Sequence, residues 1–340
     1  MSTAELIELR DSARQVLGEA GLAASESKTW PLVLELGWLL VAVPEELGGL
    51  GQGLAGACAF HEEFGRSLAA APYLPAMLAI DAACAAGKAD WVERFATRDF
   101  VTAPLADPAL TLSDGKLGGT ASAVPSADLA GHVLLCADDC VALVSLKQAG
   151  VERRERPTWD ATRRLFDLRL SGVELDPGLV LARGEAARAL ARRLAAQRDF
   201  ALAADAVGGA AALLDSTVEY LRTRRQFGRP LALFQALKHR CADLKAQVAG
   251  AEALLAETLS RAGDDLASPA AERAGQAAKL QACTVYARVA EEALQLHGGI
   301  GMTAEHLCHL YLKRALLNEH LGRGGNRYDL DLAEALLAVP

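Results

Sequence analysis

The segment Tyr220-Leu-Arg-Thr-Arg-Arg-Gln-Phe-Gly-Arg-Pro-Leu-Ala-Leu-Phe-Gln235 carries the densest chemistry in the sequence. Arg222, Arg224, Arg225 and Arg229 crowd together in a chain whose formal charge is −8. Phe227-Gly228 and Pro230 punctuate the run. A rigid turn there would present guanidinium groups beside bare backbone, which suits bidentate contact with a phosphate or pyrophosphate. The alternative is that arginines near a helix C-terminus complement its dipole, worth about 0.3–1 kcal/mol each. That accounts for two of them and leaves the turn unexplained.

A second segment, Leu294-Gln-Leu-His-Gly-Gly-Ile-Gly-Met302, reads as a helix ending in a glycine turn, with a new helix from about Ala304 and Thr303 as its N-cap. Helix N-termini beside flexible backbone accept anions, and a plain glycine cap at a tight corner is the other reading. His297 either lies near such an anion or is a core or solvated histidine. The run His306-Leu-Cys308-His309 has the residue types of a metal site, but its spacing does not place three ligands on one helix face, so no metal is expected. The seven cysteines stand singly, without a Cys-x-x-Cys pair, and read as reduced core thiols. Cys136 and Cys140, on either side of a strand turn, are included.

These segments need elements to hold them. Leu6, Leu9, Ala13 and Leu17 form a helical stripe that Gly21 stops, and Trp30, Val33, Leu34, Trp38 and Val41 predict a second helix with Gly37 inside it. The stretch Pro44 to Gly51 breaks the pattern, and a further helix is predicted over residues 54–68, with more after Pro75. From Val101 short apolar runs alternate with breakers: 101–105, 116–123, 132–137, 141–145 and 165–170. Asp114-Gly115 and Asp138-Asp139 mark hairpins, giving a small antiparallel β domain. Long helices are then predicted over 186–223, 233–262, 270–297 and 304–317, rich in Ala and Leu and suited to burial in a bundle and against other subunits. The fold class is mainly α with a central small β domain, divided as 1–98 N-terminal helical domain, 99–180 middle β domain and 181–340 C-terminal helical bundle domain.

Composition excludes several classes. At 340 residues, 51% hydrophobic and 23% charged, the chain has ample core for two or three domains and is not disordered. Its acidic balance speaks against nucleic acid. No uncharged apolar run approaches the ~20 residues of a membrane span, and the N-terminus lacks a signal pattern. A cytoplasmic protein is expected.

Taken together and in this order, the two segments resemble the acyl-CoA dehydrogenase family. The family pattern, Tyr, Arg-x-x-Phe-Gly-x-Pro-Leu, Phe-Gln, Ala-Asp, then Gln-x-x-Gly-Gly-x-Gly, is met by Tyr220, Arg224 through Leu231, Phe234-Gln235, Ala242-Asp243 and Gln295 through Gly301. Val43-Pro44-Glu45-Glu46-Leu47-Gly48-Gly49 is similar to the family's first domain. The resemblance spans the chain. It implies an N-terminal helical domain, a middle β-barrel domain and a C-terminal four-helix bundle. It also implies FAD-dependent α,β-desaturation of an acyl-CoA thioester: a carboxylate takes the α-proton, the β-hydrogen leaves as hydride to the flavin, and an electron-transfer flavoprotein reoxidises it. Arg224, Gln226, Phe227 and Gly228, with Gln295, Gly298 and Gly299, would meet the adenine–pyrophosphate arm of an FAD held mainly by a neighbouring subunit. A dimer or larger species follows.

Two family features are missing. The usual base lies in a Tyr-Glu-Gly-Thr-like stretch that falls on His320-Leu-Gly-Arg-Gly-Gly325, with Gly322 at the base position. The alternative base position, on the first long helix of the bundle, falls near Arg198. Glu319 and Asp199 are the nearest carboxylates, each out of register, so no catalytic residue is assigned. The β block lacks the family's Thr-Glu-Pro…Gly-Ser-Asp-like flavin loop and has no tryptophan between Trp91 and Trp159. Both losses match the short subunits of heterotetrameric acyl-CoA dehydrogenases of bacterial steroid catabolism, which pair with a longer homologous subunit. A self-sufficient homotetramer with a displaced base and a catalytically silent scaffold are the competing readings.

Overall fold

A computed structural model describes residues 3–263, 265–324 and 326–337. The stripe of Leu6, Leu9, Ala13 and Leu17 forms the inner side of α1 (Thr3–Ala20), with Ala13 and Leu17 fully buried. The predicted second helix is shorter than its pattern. Helix α2 (Glu26–Glu35) stops because Gly37 takes a left-handed conformation, φ +65°, and a single 3-10 turn, Trp38–Leu40, then carries Trp38 and Leu39 into the core. Beyond the Pro44–Gly51 break come α3 (Gly53–Ser67), α4 (Tyr73–Ala85) and α5 (Ala89–Thr97).

The β block holds β1 (Val101–Thr102), β2 (Ala109–Ser113), β3 (Lys116–Pro125), β4 (His132–Ala137), β5 (Cys140–Ser145), β6 (Val151–Arg156), β7 (Leu165–Glu174) and β8 (Val180–Arg183). They form two four-stranded sheets, β1-β4-β5-β8 and β2-β3-β7-β6. Leu117, Val133, Leu135, Val144 and Leu168 fill the space between them. The ladders are antiparallel except β1 with β4, which is parallel and differs from the expected pattern. Asp114 and Gly115 both have positive φ and join β2 to β3, as a two-residue hairpin requires. Strand β6, Val-Glu-Arg-Arg-Glu-Arg, escapes a hydrophobicity reading because it is an exposed edge held by its ladder to β7.

The bundle comprises α6 (Gly184–Thr223), α7 (Gln235–Ala262), α8 (Pro269–His297) and α9 (Cys308–His320), followed by α10 (Arg327–Leu337). One window of α6 is apolar and long enough to cross a membrane, yet most of it is buried against α3 and α8, the place of a core helix. Two glycines make this possible. A Cβ on Gly65 of α3 would lie 1.9 Å from the Asp205 carbonyl oxygen, and one on Gly208 would lie 1.8 Å from that of Glu62. The backbones of α3 and α6 therefore touch. The helix predicted from Ala304 begins instead at Cys308. A 3-10 turn, Gly298–Met302, precedes it, and the Thr303 hydroxyl donates back to the Ile300 carbonyl at 2.8 Å rather than capping a helix forward.

Arg314 of α9, essentially inaccessible, is the charged centre of the interior. Its Nε donates to Asp160 Oδ2 at 2.9 Å and its Nη1 to Asp205 Oδ2 at 2.9 Å, with the Thr162 hydroxyl alongside. Asn318 donates to the other Asp205 oxygen at 2.7 Å, and Arg163 lies 3.0 Å from Asp205. Asp160, Thr162 and Arg163 come from the β6–β7 loop and Asp205 from α6. This network locks the β block to the bundle.

Candidate functional site

The arginine segment forms the turn its punctuation suggested. Arg224 caps α6, its N–H donating to the Tyr220 carbonyl at 2.8 Å. A two-rung hairpin follows, β9 (Arg225–Gln226) against β10 (Arg229–Pro230), around Phe227 at φ +53° and Gly228 at φ +78°. Leu231 N–H closes it onto the Arg224 carbonyl at 2.9 Å. Arg225 donates to the Gly228 carbonyl at 3.3 Å, Gln226 to the Arg225 carbonyl at 2.8 Å, and Arg229 sits 4.1 Å over the Phe234 ring. The Arg224 guanidinium, exposed, has no partner among the described residues. Phe227 is 89% exposed.

Gln295, Gly298 and Gly299 are exposed where α8 ends, and Gly298 has φ +66°. Tyr220, one turn before Arg224, stacks on His297 with ring centroids 4.4 Å apart and donates to the His297 carbonyl at 3.3 Å. The tips of α6 and α8 thus lie at one end of the bundle. His297 itself is buried, with Nδ1 2.8 Å from the Ala293 carbonyl oxygen, so the core reading holds for its ring.

The second place is a cleft of about 320 Å³ between α4, the β block and α6, with Leu78, Leu134 and Leu194 on its walls and Asp107, Arg198 and Arg323 among its polar lining. Both positions where the resemblance looks for a base meet beside it. Gly322 N–H donates to the Leu105 carbonyl at 2.6 Å, and its own carbonyl accepts from Asp107 N–H at 3.1 Å, stitching the loop after β1 to the chain after α9. A Cβ on Gly322 would fall 1.9 Å from the Tyr328 hydroxyl oxygen, and φ there is +84°. Tyr328, buried, donates to Asp199 Oδ1 at 2.8 Å. Arg198 donates to the same oxygen at 3.1 Å and to Asp107 Oδ1 at 2.5 Å. Arg323 extends the lattice to Glu272 and Asp331.

The charges here are neutralised in pairs. Burial works against the Arg198 cation, but Asp199 and Asp107 hold it protonated well above the usual arginine range. Burial would raise the Asp107 carboxyl, and Arg198 overrides it and holds it below its ordinary value. Asp199, bonded by a guanidinium and a phenol, is no free base. Glu319 is excluded by place: it lines a different pocket with Lys279 and Asp329, and burial pushes its carboxyl up. Gly325 of the overlaid base stretch lies outside the described residues. Asp107, Arg323 and Tyr328 escaped the sequence reading, since nothing in their spacing joins them to Arg198. Filling Gly322 should confirm how tightly this corner is closed. Gly322→Ala is expected to cost about 1–3 kcal/mol, from overpacking and a positive φ. Urea denaturation reads it, and an unchanged midpoint would mean Tyr328 yields freely.

Residues 3–99 match the family description "Acyl-CoA dehydrogenase, N-terminal domain" and residues 187–331 match "Acyl-CoA dehydrogenase, C-terminal domain". "Acyl-CoA dehydrogenase IpdE2" of Mycolicibacterium smegmatis is 34% identical over 304 residues, covering 87% of this chain and 86% of that protein. The chain belongs to the acyl-CoA dehydrogenase family. It is therefore an oxidoreductase of a flavoprotein family. A solved steroid ACAD, Tcur3481-Tcur3483, superposes with TM-score 0.86 at 28% identity over 98% of each chain. The fold is also that of a chain of the ChsE4-ChsE5 complex from Mycobacterium tuberculosis, with TM-score 0.87 at 24% identity over 100% of this chain and 99% of that one.

An acyl-CoA dehydrogenase needs a flavin, a base and room for a thioester. In this chain's own cleft the residues do not fit that set. The base position has no space for a side chain, Arg198 stands at the alternative one, and the loop at Asp107 is tied to Gly322. The corner of Arg224, Gln226, Phe227, Gly298 and Gly299 fits the phosphate arm of a flavin far better, because an unpartnered guanidinium and bare glycine backbone stand open together.

Proposed function

We propose that the chain is the short subunit of a heteromeric FAD-dependent acyl-CoA dehydrogenase, lending its arginine and glycine turns to a flavin held mainly by a longer partner. The observation that carries this is the contrast between its two sites. The base positions beside its own cleft are filled or paired by Tyr328 and Arg198, while the turn at Arg224 is exposed with a free guanidinium. The relatives point the same way, since solved structures of similar fold include the Tcur3481-Tcur3483 steroid ACAD and the ChsE4-ChsE5 complex. Within the assembly, Arg224 would bind the pyrophosphate, Gln226 and Phe227 would meet the adenine arm, and Gln295, Gly298 and Gly299 would line the same arm. The bound flavin supplies hydride acceptance. The base comes from the partner. The substrate class is a bulky, ring-bearing acyl-CoA, the electron acceptor an electron-transfer flavoprotein, and the location cytoplasmic.

Arg224→Ala tests it. A charge-assisted hydrogen bond contributes about 1.5–3 kcal/mol, so the assembled enzyme should lose about tenfold or more in flavin affinity while its helical circular dichroism stays unchanged. Flavin affinity equal to wild type in a folded variant would leave Arg224 as a helix-end charge and the proposal without its main support.

A further inference from the structure

We propose that His297, His306 and Cys308 form a binding site for a zinc-like divalent ion at the corner between α8 and α9. His297 is the last residue of α8, Cys308 the first of α9, and His306 lies on the link between them. One donor atom from each lies within 4.8 Å of the other two. Spacing along the chain hides this set, because His297 arrives from a different helix and His309, the neighbour in sequence, is not one of the three.

The site is built rather than incidental. Cys308 Sγ is 3.3 Å from His297 Nδ1, and the two imidazole rings lie 4.3 Å apart. Tyr220 stacks on His297 and holds its ring plane. The Nδ1 that faces Cys308 also lies 2.8 Å from the Ala293 carbonyl oxygen, so ligation through Nδ1 gives up that hydrogen bond and moves the ring proton to Nε2. That Nε2 is buried and has no hydrogen-bond partner among the described residues. Two nitrogens and one thiolate suit zinc, with the fourth tetrahedral position open to water. The ligating forms are two neutral imidazoles and the Cys308 thiolate. Coordination therefore replaces the S–H proton by the metal and releases one proton per ion bound. The bound ion would cross-link the two helices on either side of the exposed glycine turn and brace it.

Cobalt(II) is the probe. The full chain, reduced, stripped with chelator and kept anaerobic, is titrated with Co²⁺ and then with Zn²⁺. The expected result is one equivalent of tightly bound cobalt, with a thiolate-to-cobalt charge-transfer band in the near ultraviolet and intense tetrahedral bands in the visible, both abolished by zinc. Cys308→Ser should remove the charge-transfer band. His306→Ala, at a partly exposed position where misfolding is not expected, should weaken cobalt binding about 10–100-fold or more, since even loss of a second-shell partner costs that much. No charge-transfer band with stoichiometric cobalt, or a band that survives Cys308→Ser, overturns the site. So does His306→Ala binding as tightly as wild type with unchanged circular dichroism.

Discussion

Replacing Arg314 by methionine will cost about 3–5 kcal/mol of folding stability, the usual consequence of removing one member of a buried charge network. The guanidinium binds Asp160 and Asp205 and also meets Thr162 and the Leu68 carbonyl, so it joins the β6–β7 loop to α6, α9 and the end of α3. Methionine fills much of the volume but leaves Asp160 with only Thr162 and its own loop, and Asp205 with Arg163 and Asn318. Denaturant unfolding of wild type and variant measures the difference. A loss near zero would mean that water enters and solvates the two carboxylates. The pH dependence has a definite sign. Burial would raise the Asp205 carboxyl, but Arg163 and Arg314 hold it below its ordinary value. A depressed carboxyl contributes stability above its unfolded pKa and loses it as pH falls through the folded one. Wild-type stability should decline on acidification below the ordinary carboxylate range, and Asp205→Asn should flatten that part of the curve.

The larger functional effect concerns turnover. Expressed alone, this chain will desaturate acyl-CoA thioesters at least about 10²–10⁴-fold more slowly than in complex with the longer partner proposed above, the range that general-base catalysis supplies. The structural reason is local: Gly322 has no room for a carboxylate, Asp199 is bonded by Arg198 and Tyr328, and Glu319 faces another pocket. Flavin content and turnover, measured on the lone chain and on the co-expressed pair with ring-bearing and straight-chain thioesters, decide it. Full turnover and stoichiometric flavin in the lone chain, abolished by Glu319→Gln, would establish the self-sufficient enzyme instead. An unaltered rate in that variant would direct the search for the base elsewhere in this chain.

Much of the architecture was legible because it rests on periodic burial. The helices over 186–223, 233–262 and 270–297 were placed within two residues at each end, and the family and fold class inferred from Arg224-x-x-Phe227-Gly228 and the glycine turn are those the comparisons show. Misplaced elements share a cause. Helix α2 ended early because Gly37 could adopt a left-handed turn, and α9 began late because Gly298–Met302 took up a 3-10 turn first. Strand β6 and helix α10 were missed because tertiary partners, rather than an apolar pattern, hold a polar edge and a short amphipathic tail in place.

The residue types along the chain determined by themselves that it has three successive blocks, an arginine turn, a glycine corner and no carboxylate at position 322. Those are local properties: propensity, punctuation and identity. Only the tertiary structure decided that Gly322, Asp199, Arg198 and Asp107 meet beside one cleft, and that His297 joins His306 and Cys308. The cleft contacts join residues 91 and 129 positions apart, His297 and Cys308 are 11 apart across a helix corner, and all depend on how the helices pack and where the β block is stitched to the bundle. Linear spacing carries no record of such distances, because a buried ion pair or a ligand set is specified by where helices cross.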